Sequence, residues 1–391
     1  MKISVIGLGK AGLPLAAVMA DAGLDILGVD VDSGKAAMIN KGLNPMEEEP
    51  GLSGLISKHA GKKLKATIDA LKAAKESNVH IVIVPLLIDK SNKPDFRMIR
   101  KAMENIGKGL KKNDLVVLET TVPVRTTETI VRGILEKNSG LKAGRDFFLA
   151  YSPERIEAGS SISRFREFPK LVGGINRESA DKAFELYKKF TNPVRVSSAR
   201  TAELAKIAEG VYRDINIAIA NEFFKVAGHY GVDFWEMREA ARHRFCSILE
   251  PGIVGGHCIP VYPWFLINEL DVSLVSAARK LNEDMIDYYV KKVDEIGGRR
   301  VGIIGLSYRE GVREKAFSKA DLIKLLKKKG YEVYALDPLF SREEIEKEFG
   351  ANYLDSFDKM DVIILANKEL RYKDRLKTMK SRVIDIKNVL G

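Results

Sequence analysis

The chain has 391 residues, an ordinary apolar fraction of 45%, a formal net charge of +11 and two cysteines, Cys246 and Cys258. Such a length exceeds one core, so two or three domains are expected, and two cysteines without CxxC spacing exclude a disulfide framework and argue against a zinc site. A lysine-rich stretch over 324–329 and a glutamate-rich one over 343–348 predict a solvated mixed-charge surface with no nucleic-acid partner; apolar runs of only strand length, such as 79–88, predict no membrane span, and the lack of a disulfide framework fits a reducing cytoplasm.

Residues 2–6 are an apolar, β-rich run closed by Gly7-Leu8-Gly9-Lys10-Ala11-Gly12, after which 13–22 have helical character and Gly23 ends them. Lys2 before this run imitates a signal peptide, but the glycines and Lys10 interrupt it and Asp21 follows too soon, so it reads as mature protein. Strand, glycine turn and helix together would lay a pyrophosphate on the helix N-terminus, beside Gly9 and Ala11. The next strand, 26–30, closes on Asp30, about twenty residues beyond the turn, where a carboxylate accepts both adenosine ribose hydroxyls and favours NAD over NADP. Strands over 80–85, 114–119 and 147–151 each end in a polar or proline turn, at the edge where open α/β sheets hold ligands. Thr121, in Thr120-Thr121-Val122-Pro123, and Glu154, in Ser152-Pro153-Glu154-Arg155, are thereby aimed at the cofactor crevice. Glu154 reads equally well as a helix cap or a surface ion pair.

From 201 to 228 there are few breakers and apolar residues on most faces, which predicts a long helix buried between domains or subunits. Lys206, among Leu204, Ala205, Ile207 and Ala208, would then be buried and need a charge partner or a function; a lysine snorkelling to the surface is the other reading. Gly210, one turn on, costs about 1 kcal/mol against Ala inside a helix and predicts close approach by another group. In Pro251-Gly252-Ile253-Val254-Gly255-Gly256-His257-Cys258-Ile259-Pro260-Val261-Tyr262-Pro263, dense glycine surrounds one thiol. That reads as a nucleophile loop presenting Cys258, or else as a turn holding a buried cysteine. A helix over 276–289 and a boundary at Gly297-Gly298 precede a second α/β unit: strand 300–306, helix 316–329 closed by Gly330, and strands 331–337, 361–366 and 382–386. Its first strand is followed by Gly305-Leu306-Ser307-Tyr308-Arg309 rather than GxGxxG, so it is expected to bind something other than a dinucleotide.

Taken in register over essentially the whole chain, these segments resemble the nucleoside-diphosphate-sugar 6-dehydrogenases, most closely their UDP-N-acetyl-mannosamine/N-acetyl-glucosamine branch. The matching pieces are Gly7 to Gly12 with Asp30, Glu49-Pro50-Gly51-Leu52, Thr121-Val122-Pro123, Ser152 to Arg155, Glu203 to Lys206, 216–222, 255–260, Ala278-Arg279 with Asn282, and the 305–308 turn. The resemblance implies an α/β chain of two Rossmann-like doubly wound domains joined by a long central helix and a helical dimerisation region. NAD would bind over 1–197, the helical part with the nucleophile loop would span 198–296, and UDP would bind over 297–391.

The activity it implies is oxidation of a sugar C6 alcohol to a carboxylate with two NAD, through a thiohemiacetal and a thioester on Cys258. Lys206 would stabilise the C6 oxyanion, Glu154 would position or deprotonate the hydrolytic water, and Thr121 would help hold that water and the cofactor. Gly7, Gly9, Lys10, Ala11, Gly12, Asp30 and Thr121 are the implied cofactor residues. Glu154, Arg155, Lys206, Arg244, Gly255, Tyr262, Tyr308 and Arg309 are those for a UDP-sugar, with no metal. The implied assembly is a homodimer in which Arg242 or Arg244 reaches the substrate of the partner subunit.

The chain departs from the family pattern in several places. Tyr262 stands where an Asp usually follows the nucleophile by four residues, Gly210 where an Asn follows the lysine, Leu86-Leu87 where Thr-Pro is usual, and Ala316 where the C-terminal domain supplies an arginine. The 251–256 loop is one residue short. A tyrosine hydroxyl still donates a hydrogen bond, and water is expected in the space left at Gly210. His257 before Cys258 favours the N-acetyl-hexosamine branch over UDP-glucose enzymes. Competing readings are a UDP-N-acetyl-glucosamine or UDP-glucose 6-dehydrogenase and a nucleotide-sugar-binding paralogue with impaired catalysis. A two-electron β-hydroxyacid dehydrogenase leaves the second α/β domain and Cys258 unexplained.

Overall fold

The computed structural model describes residues 1–391 except 47, 48, 156–158, 160, 166, 380 and 381, and except the side chains of Ser161, Ser163 and Arg309. The residues gather into two compact units, Met1–Ala208 and Glu209–Gly391.

In the first unit the strands are β1 (Lys2–Ile6), β2 (Asp25–Val29), β3 (Leu64–Thr67) and β4 (Val79–Val82), then a short hairpin of β5 (Leu87–Ile88) and β6 (Pro94–Asp95). After these come β7 (Leu115–Leu118), β8 (Phe148–Tyr151), β9 (Lys170–Gly174) and β10 (Pro193–Arg195). Apart from the hairpin they form one eight-stranded sheet in the order β10-β9-β8-β7-β4-β1-β2-β3. From β3 through β8 every pairing is parallel, and only β9 runs antiparallel to its neighbour β8. Helices cover both faces, so the central strands are mostly apolar, as Leu115–Leu118 is throughout, and almost wholly buried. Strand order reverses beside β1, which opens the ligand crevice at the carboxyl ends of β1 and β4. The short strands β3, β9 and β10 were not expected: Leu64–Thr67 carries a lysine, and Lys170–Gly174 begins with a lysine and ends in two glycines.

The second unit holds a five-stranded, all-parallel sheet of β11 (Arg300–Ile304), β14 (Glu332–Leu336), β15 (Asn352–Tyr353), β16 (Val362–Leu365) and β17 (Val383–Asp385), with a hairpin of β12 (Ser307–Arg309) and β13 (Val312–Lys315). The order β15-β14-β11-β16-β17 again reverses beside its first strand. Met285, Tyr289, Val290 and Val293 of the helix Ser273–Ile296 pack with Leu322, Ile323 and Leu326 of the helix Phe317–Lys328 onto Ile303 and Ile364. The chain is therefore two doubly wound α/β sheets with a long helix, Ala199–Tyr230, between them in sequence.

Part of the apolar surface of that helix lies on the outside of the single chain. Tyr212 and Tyr230 are 71% and 74% exposed, and Ile219, Phe223 and Val226 are also exposed, making one apolar stripe along the helix. Leu204 and Ala208 are exposed as well, so Lys206 is half-buried rather than enclosed. Among the described residues no helix is long and apolar enough to cross a membrane.

Candidate active site

The glycine turn after β1 is built by exclusion. Gly7 has φ +99°, and a Cβ there would lie 2.8 Å from the Ile83 carbonyl oxygen; a Cβ on Gly12 would lie 1.9 Å from the Gly7 carbonyl oxygen. Neither position tolerates a side chain, so the helix Gly12–Asp21 starts hard against the end of the strand. Among the described residues, and apart from the chain neighbours of Gly9, nothing lies within 4 Å of a Cβ placed on it, which leaves the outer face of the turn open. The helix has Ala11 as its N-cap without a side-chain cap. An open glycine face at a helix N-terminus suits a pyrophosphate. Lys10 is exposed at the crest of the same turn.

Asp30, just past β2, accepts hydrogen bonds from Leu8 N–H at 3.0 Å, from Asp32 N–H at 3.0 Å and from the Lys35 ammonium at 3.2 Å. Partial burial opposes its ionisation, but the Asp32 amide, the Lys35 ammonium and the Leu8 amide outweigh it and hold the carboxyl below its usual range. A charged acceptor is thus tied to the glycine turn itself. These residues fit NAD, whose ribose and pyrophosphate need this acceptor and this cradle.

Thr121 and Glu154 follow the neighbouring parallel strands β7 and β8, so both emerge at the same sheet edge as the glycine turn. Each is half-buried. Underneath lies a charge pair that sequence reasoning missed: the buried Lys170 ammonium donates to Glu119 at 2.5 Å and to the Pro153 carbonyl at 3.2 Å, and the Tyr187 hydroxyl also donates to Glu119. Glu154 N–H donates to the Glu119 carbonyl at 3.3 Å, and Ser152 Oγ donates to the Leu171 carbonyl at 2.7 Å. The turn bearing Glu154 is therefore held from below by backbone and charge together. Arg155 donates from Nη1 to the Pro169 carbonyl at 2.7 Å.

Glu203, one turn before Lys206, belongs to a segment matched by the resemblance but has no role assigned from the sequence. Fully buried, its carboxylate accepts from Arg125 N–H at 2.6 Å, Thr127 N–H at 2.9 Å and Thr127 Oγ1 at 2.7 Å. Burial pushes its carboxyl up to about 7, against the pull of those donors. It pins the first turns of the Ala199–Tyr230 helix to the segment that follows Thr121, and so sets where Lys206 stands in this unit.

In the second unit the nucleophile loop is anchored at several points. Asn221, wholly buried on the long helix, accepts from Gly252 N–H at 2.7 Å and donates to the Gly252 carbonyl at 3.1 Å and to Asn282 at 2.9 Å. Asn282 in turn donates to Asp214 at 2.9 Å, and the buried Arg279 guanidinium reaches Asp214 at 2.6 Å. Lys387 donates to the Pro251 carbonyl at 3.0 Å. A Cβ on Gly255 would lie 2.7 Å from Ser318 Oγ and 3.2 Å from the Ala316 Cβ, so the loop backbone lies directly on residues 316 and 318. This contact gives the arginine-to-alanine departure its reason, because Ala316 is fully buried there. Gly256 has φ +87° and faces the Tyr308 ring, 3.3 Å from its would-be Cβ. His257 reaches Glu314 at 3.3 Å and stands edge-on to Phe317. Pro251, Gly252 and Gly256 are buried, yet Cys258 is exposed and not held in a disulfide.

The space at Gly210 is not left for water. The Tyr262 ring fills it, as a Cβ on Gly210 would lie 2.3 Å from Tyr262 Cδ2. The two departures from the family pattern are thus one contact. Arg244 is exposed, with its guanidinium 4.5 Å from the Phe245 ring centroid, and Arg242 pairs with Glu239 at 2.9 Å. Arg309 belongs to β12, and its side chain lies outside the described residues.

The predicted site residues thus divide between the units: the glycine turn, Asp30, Thr121, Glu154, Arg155 and Lys206 in the first, and Arg244, Gly255, Cys258, Tyr262 and Tyr308 in the second. A doubly wound sheet with a glycine turn, an acid closing its second strand and an open helix N-terminus defines an NAD-binding dehydrogenase class. Sequence profiles of the UDP-glucose/GDP-mannose dehydrogenase family match the chain over 1–191 (NAD binding domain), 200–284 (central domain) and 302–391 (UDP binding domain). A UDP-N-acetyl-D-mannosamine dehydrogenase of Methanocaldococcus jannaschii is 32% identical, covering 100% of this chain and 93% of its own. A UDP-N-acetyl-D-glucosamine 6-dehydrogenase of Pseudomonas aeruginosa is 33% identical over 96% of this chain and 92% of its own. The solved UDP-D-ManNAc dehydrogenase of Pyrococcus horikoshii superposes with a TM-score of 0.88 at 30% identity, covering 98% of this chain and 93% of that one. The chain belongs to the UDP-glucose/GDP-mannose dehydrogenase family and is an NAD-dependent enzyme.

Proposed function

We propose that the protein oxidises the C6 hydroxyl of a UDP-N-acetyl-hexosamine, UDP-N-acetyl-D-mannosamine before others, to the uronate in a four-electron reaction through Cys258. NAD, when bound, accepts a hydride from C6 in each of the two oxidations. The remaining work falls to this chain's own side chains. The Lys206 ammonium stabilises the oxyanion that develops at C6 as the alcohol loses its proton. The Cys258 thiolate adds to the aldehyde carbon, forming a C–S bond and a thiohemiacetal that keeps the reactive aldehyde attached. Loss of the second hydride leaves a thioester. Glu154 takes a proton from a water that Thr121 helps to hold; the hydroxide adds, the C–S bond breaks, and carboxylate and thiolate separate.

The observation that carries this reading is an exposed thiol on a loop whose flanking backbone is buried and anchored, together with a histidine immediately before it. Residues 1–197 then bind NAD, 198–296 carry the nucleophile loop and the dimer face, and 297–391 bind UDP with Tyr308 and Arg309. The apolar stripe of Tyr212, Ile219, Phe223, Val226 and Tyr230 supports a homodimer, in which Arg244 serves the substrate of the partner subunit. The enzyme works in the cytoplasm, where both thiols stay reduced.

The test is to count NADH formed per sugar with UDP-N-acetyl-mannosamine, UDP-N-acetyl-glucosamine and UDP-glucose. Two per UDP-N-acetyl-mannosamine, with slower turnover of the other sugars, is the expected result. One per sugar would mean a two-electron dehydrogenase, and none despite tight UDP binding would mean a catalytically impaired paralogue. Preference for UDP-N-acetyl-glucosamine would move the enzyme to the substrate named for its Pseudomonas aeruginosa relative.

A further inference from the structure

Tyr262 opens the short helix Tyr262–Ile267, and its backbone N–H donates to the Cys258 carbonyl at 3.1 Å, beside Val261 N–H at 3.0 Å. Cys258 is therefore the first residue of a hydrogen-bonded turn and Tyr262 its last. The ring of Tyr262 is clamped: it is 9% exposed, lies 5.9 Å from the Phe265 ring, and rests on the backbone of the long helix where a Cβ on Gly210 would be 2.3 Å from its Cδ2 and 3.3 Å from its Cγ. Both ring atoms sit close to the Tyr262 backbone, so the ring cannot make room by turning about its far end. A side chain at 210 and an aromatic ring at 262 exclude each other, and the interior helix glycine exists to receive the ring.

We propose that Gly210 and Tyr262 form one steric unit and that Tyr262 is a positioning residue for the Cys258 thiol. The ring seats the turn on the helix, and the two hydrogen bonds to the Cys258 carbonyl carry that placement to the sulfur. The inference rests on the reading of Cys258 as the nucleophile for its catalytic consequence, but not for its geometric one. It explains why two departures from the family pattern, far apart in sequence, occur together. Attack on an aldehyde demands a sulfur placed within a fraction of an ångström, and a displacement of about 1 Å is enough to cost roughly 100-fold in rate.

The test is a double-substitution cycle of Gly210→Ala, Tyr262→Ala and both, with Tyr262→Phe as the conservative rescue. Alkylation of Cys258 by iodoacetamide is followed against pH in the protein without nucleotide and read on the Cys258 peptide, so that Cys246 does not contribute. The kcat and KM for the UDP-sugar are measured in parallel. Gly210→Ala alone is expected to change the alkylation profile and to lower kcat by about tenfold or more, with the KM for NAD within about twofold of the parent. In the Tyr262→Ala background the same Gly210→Ala change should add nothing, and Tyr262→Phe should return the parent alkylation profile.

Parent-like alkylation in Gly210→Ala, or effects of the two alanines that simply multiply, would overturn the proposal. If Gly210→Ala does not fold, recovery of a cooperative unfolding transition in the double variant supports the steric unit, and failure to recover refutes it. A parent that oxidises no UDP-sugar would defeat the proposed function, whereas the alkylation cycle would still decide the positioning claim by itself.

Discussion

Asn221→Leu tests whether the nucleophile loop is held from the long helix. The parent side chain accepts from Gly252 N–H at 2.7 Å and donates to the Gly252 carbonyl at 3.1 Å and to Asn282 at 2.9 Å, all of them buried. Leucine keeps the volume and removes every one of these bonds, stranding the amide and the carbonyl of Gly252. An unpaired buried backbone group costs about 1–3 kcal/mol, so roughly 3 kcal/mol is expected after partial relaxation. For a cooperative unit the size of Glu209–Gly391, each kcal/mol lowers Tm by about 2–4 °C, which gives a drop of about 6–12 °C. Thermal unfolding followed by circular dichroism provides the assay. The control is Asn216→Ala on the same helix, where among the described residues the amide bonds only the Tyr212 carbonyl at an exposed site and the cost should stay within about 0.5 kcal/mol. The kcat of Asn221→Leu should fall as well, because Gly252 opens the loop that bears Cys258. A Tm within about 2 °C of the control would refute the reasoning.

Asp30→Ala removes the charged acceptor next to the glycine turn, and a hydrogen bond to a charged group is worth about 1.5–3 kcal/mol, so the Kd for NAD should rise about 10- to 150-fold by calorimetry. An unchanged Kd would dismiss its ribose role. His80 is completely buried, with Nδ1 at 2.8 Å from Ser4 Oγ and Nε2 at 3.6 Å from Asp114. Burial holds its pKa below the ordinary 6.5 in spite of Asp114. Below about 6.5 the unfolded chain then binds the proton that the folded one refuses, so this contribution is intact above that pH and is lost as pH falls. Glu203 acts with the opposite sign, since its carboxyl, raised to about 7, favours the folded state below the unfolded value of 4.5 and ceases to do so as pH rises towards 7. Urea midpoints from pH 7 to 5 should therefore show the stability advantage of the parent over His80→Gln shrinking as pH falls. A constant difference would contradict the assignment.

What was legible in the sequence was mostly local. The glycine turn, its helix and Asp30 lie within one strand–helix–strand unit, and the backbone of Gly7 and Gly12 demands glycine for contacts only a few residues away, apart from Ile83. The nucleophile loop was legible because glycine density and a single thiol coincide. Gly210 announced a close approach through its cost to the helix, but its partner Tyr262 stands fifty-two residues later, and nothing in the local pattern names it. The pair of Lys170 and Glu119 was invisible for the same reason: each reads as a surface charge, and only the sheet brings them together beneath Pro153. Lys206 reads from its neighbours either as enclosed or as snorkelling to the surface, and no local pattern separates the two; exposed Leu204 and Ala208 leave it half-buried in the single chain.

The most direct measurement of the central claim is mass spectrometry of the Cys258 peptide after Glu154→Gln enzyme has been mixed with NAD and UDP-N-acetyl-mannosamine and quenched in acid. With the water-activating carboxylate gone, the sugar should remain esterified to sulfur, adding the mass of the UDP-uronyl group to that peptide alone. An unmodified Cys258 peptide alongside continued release of uronate, or the same mass on a different residue, would contradict the account.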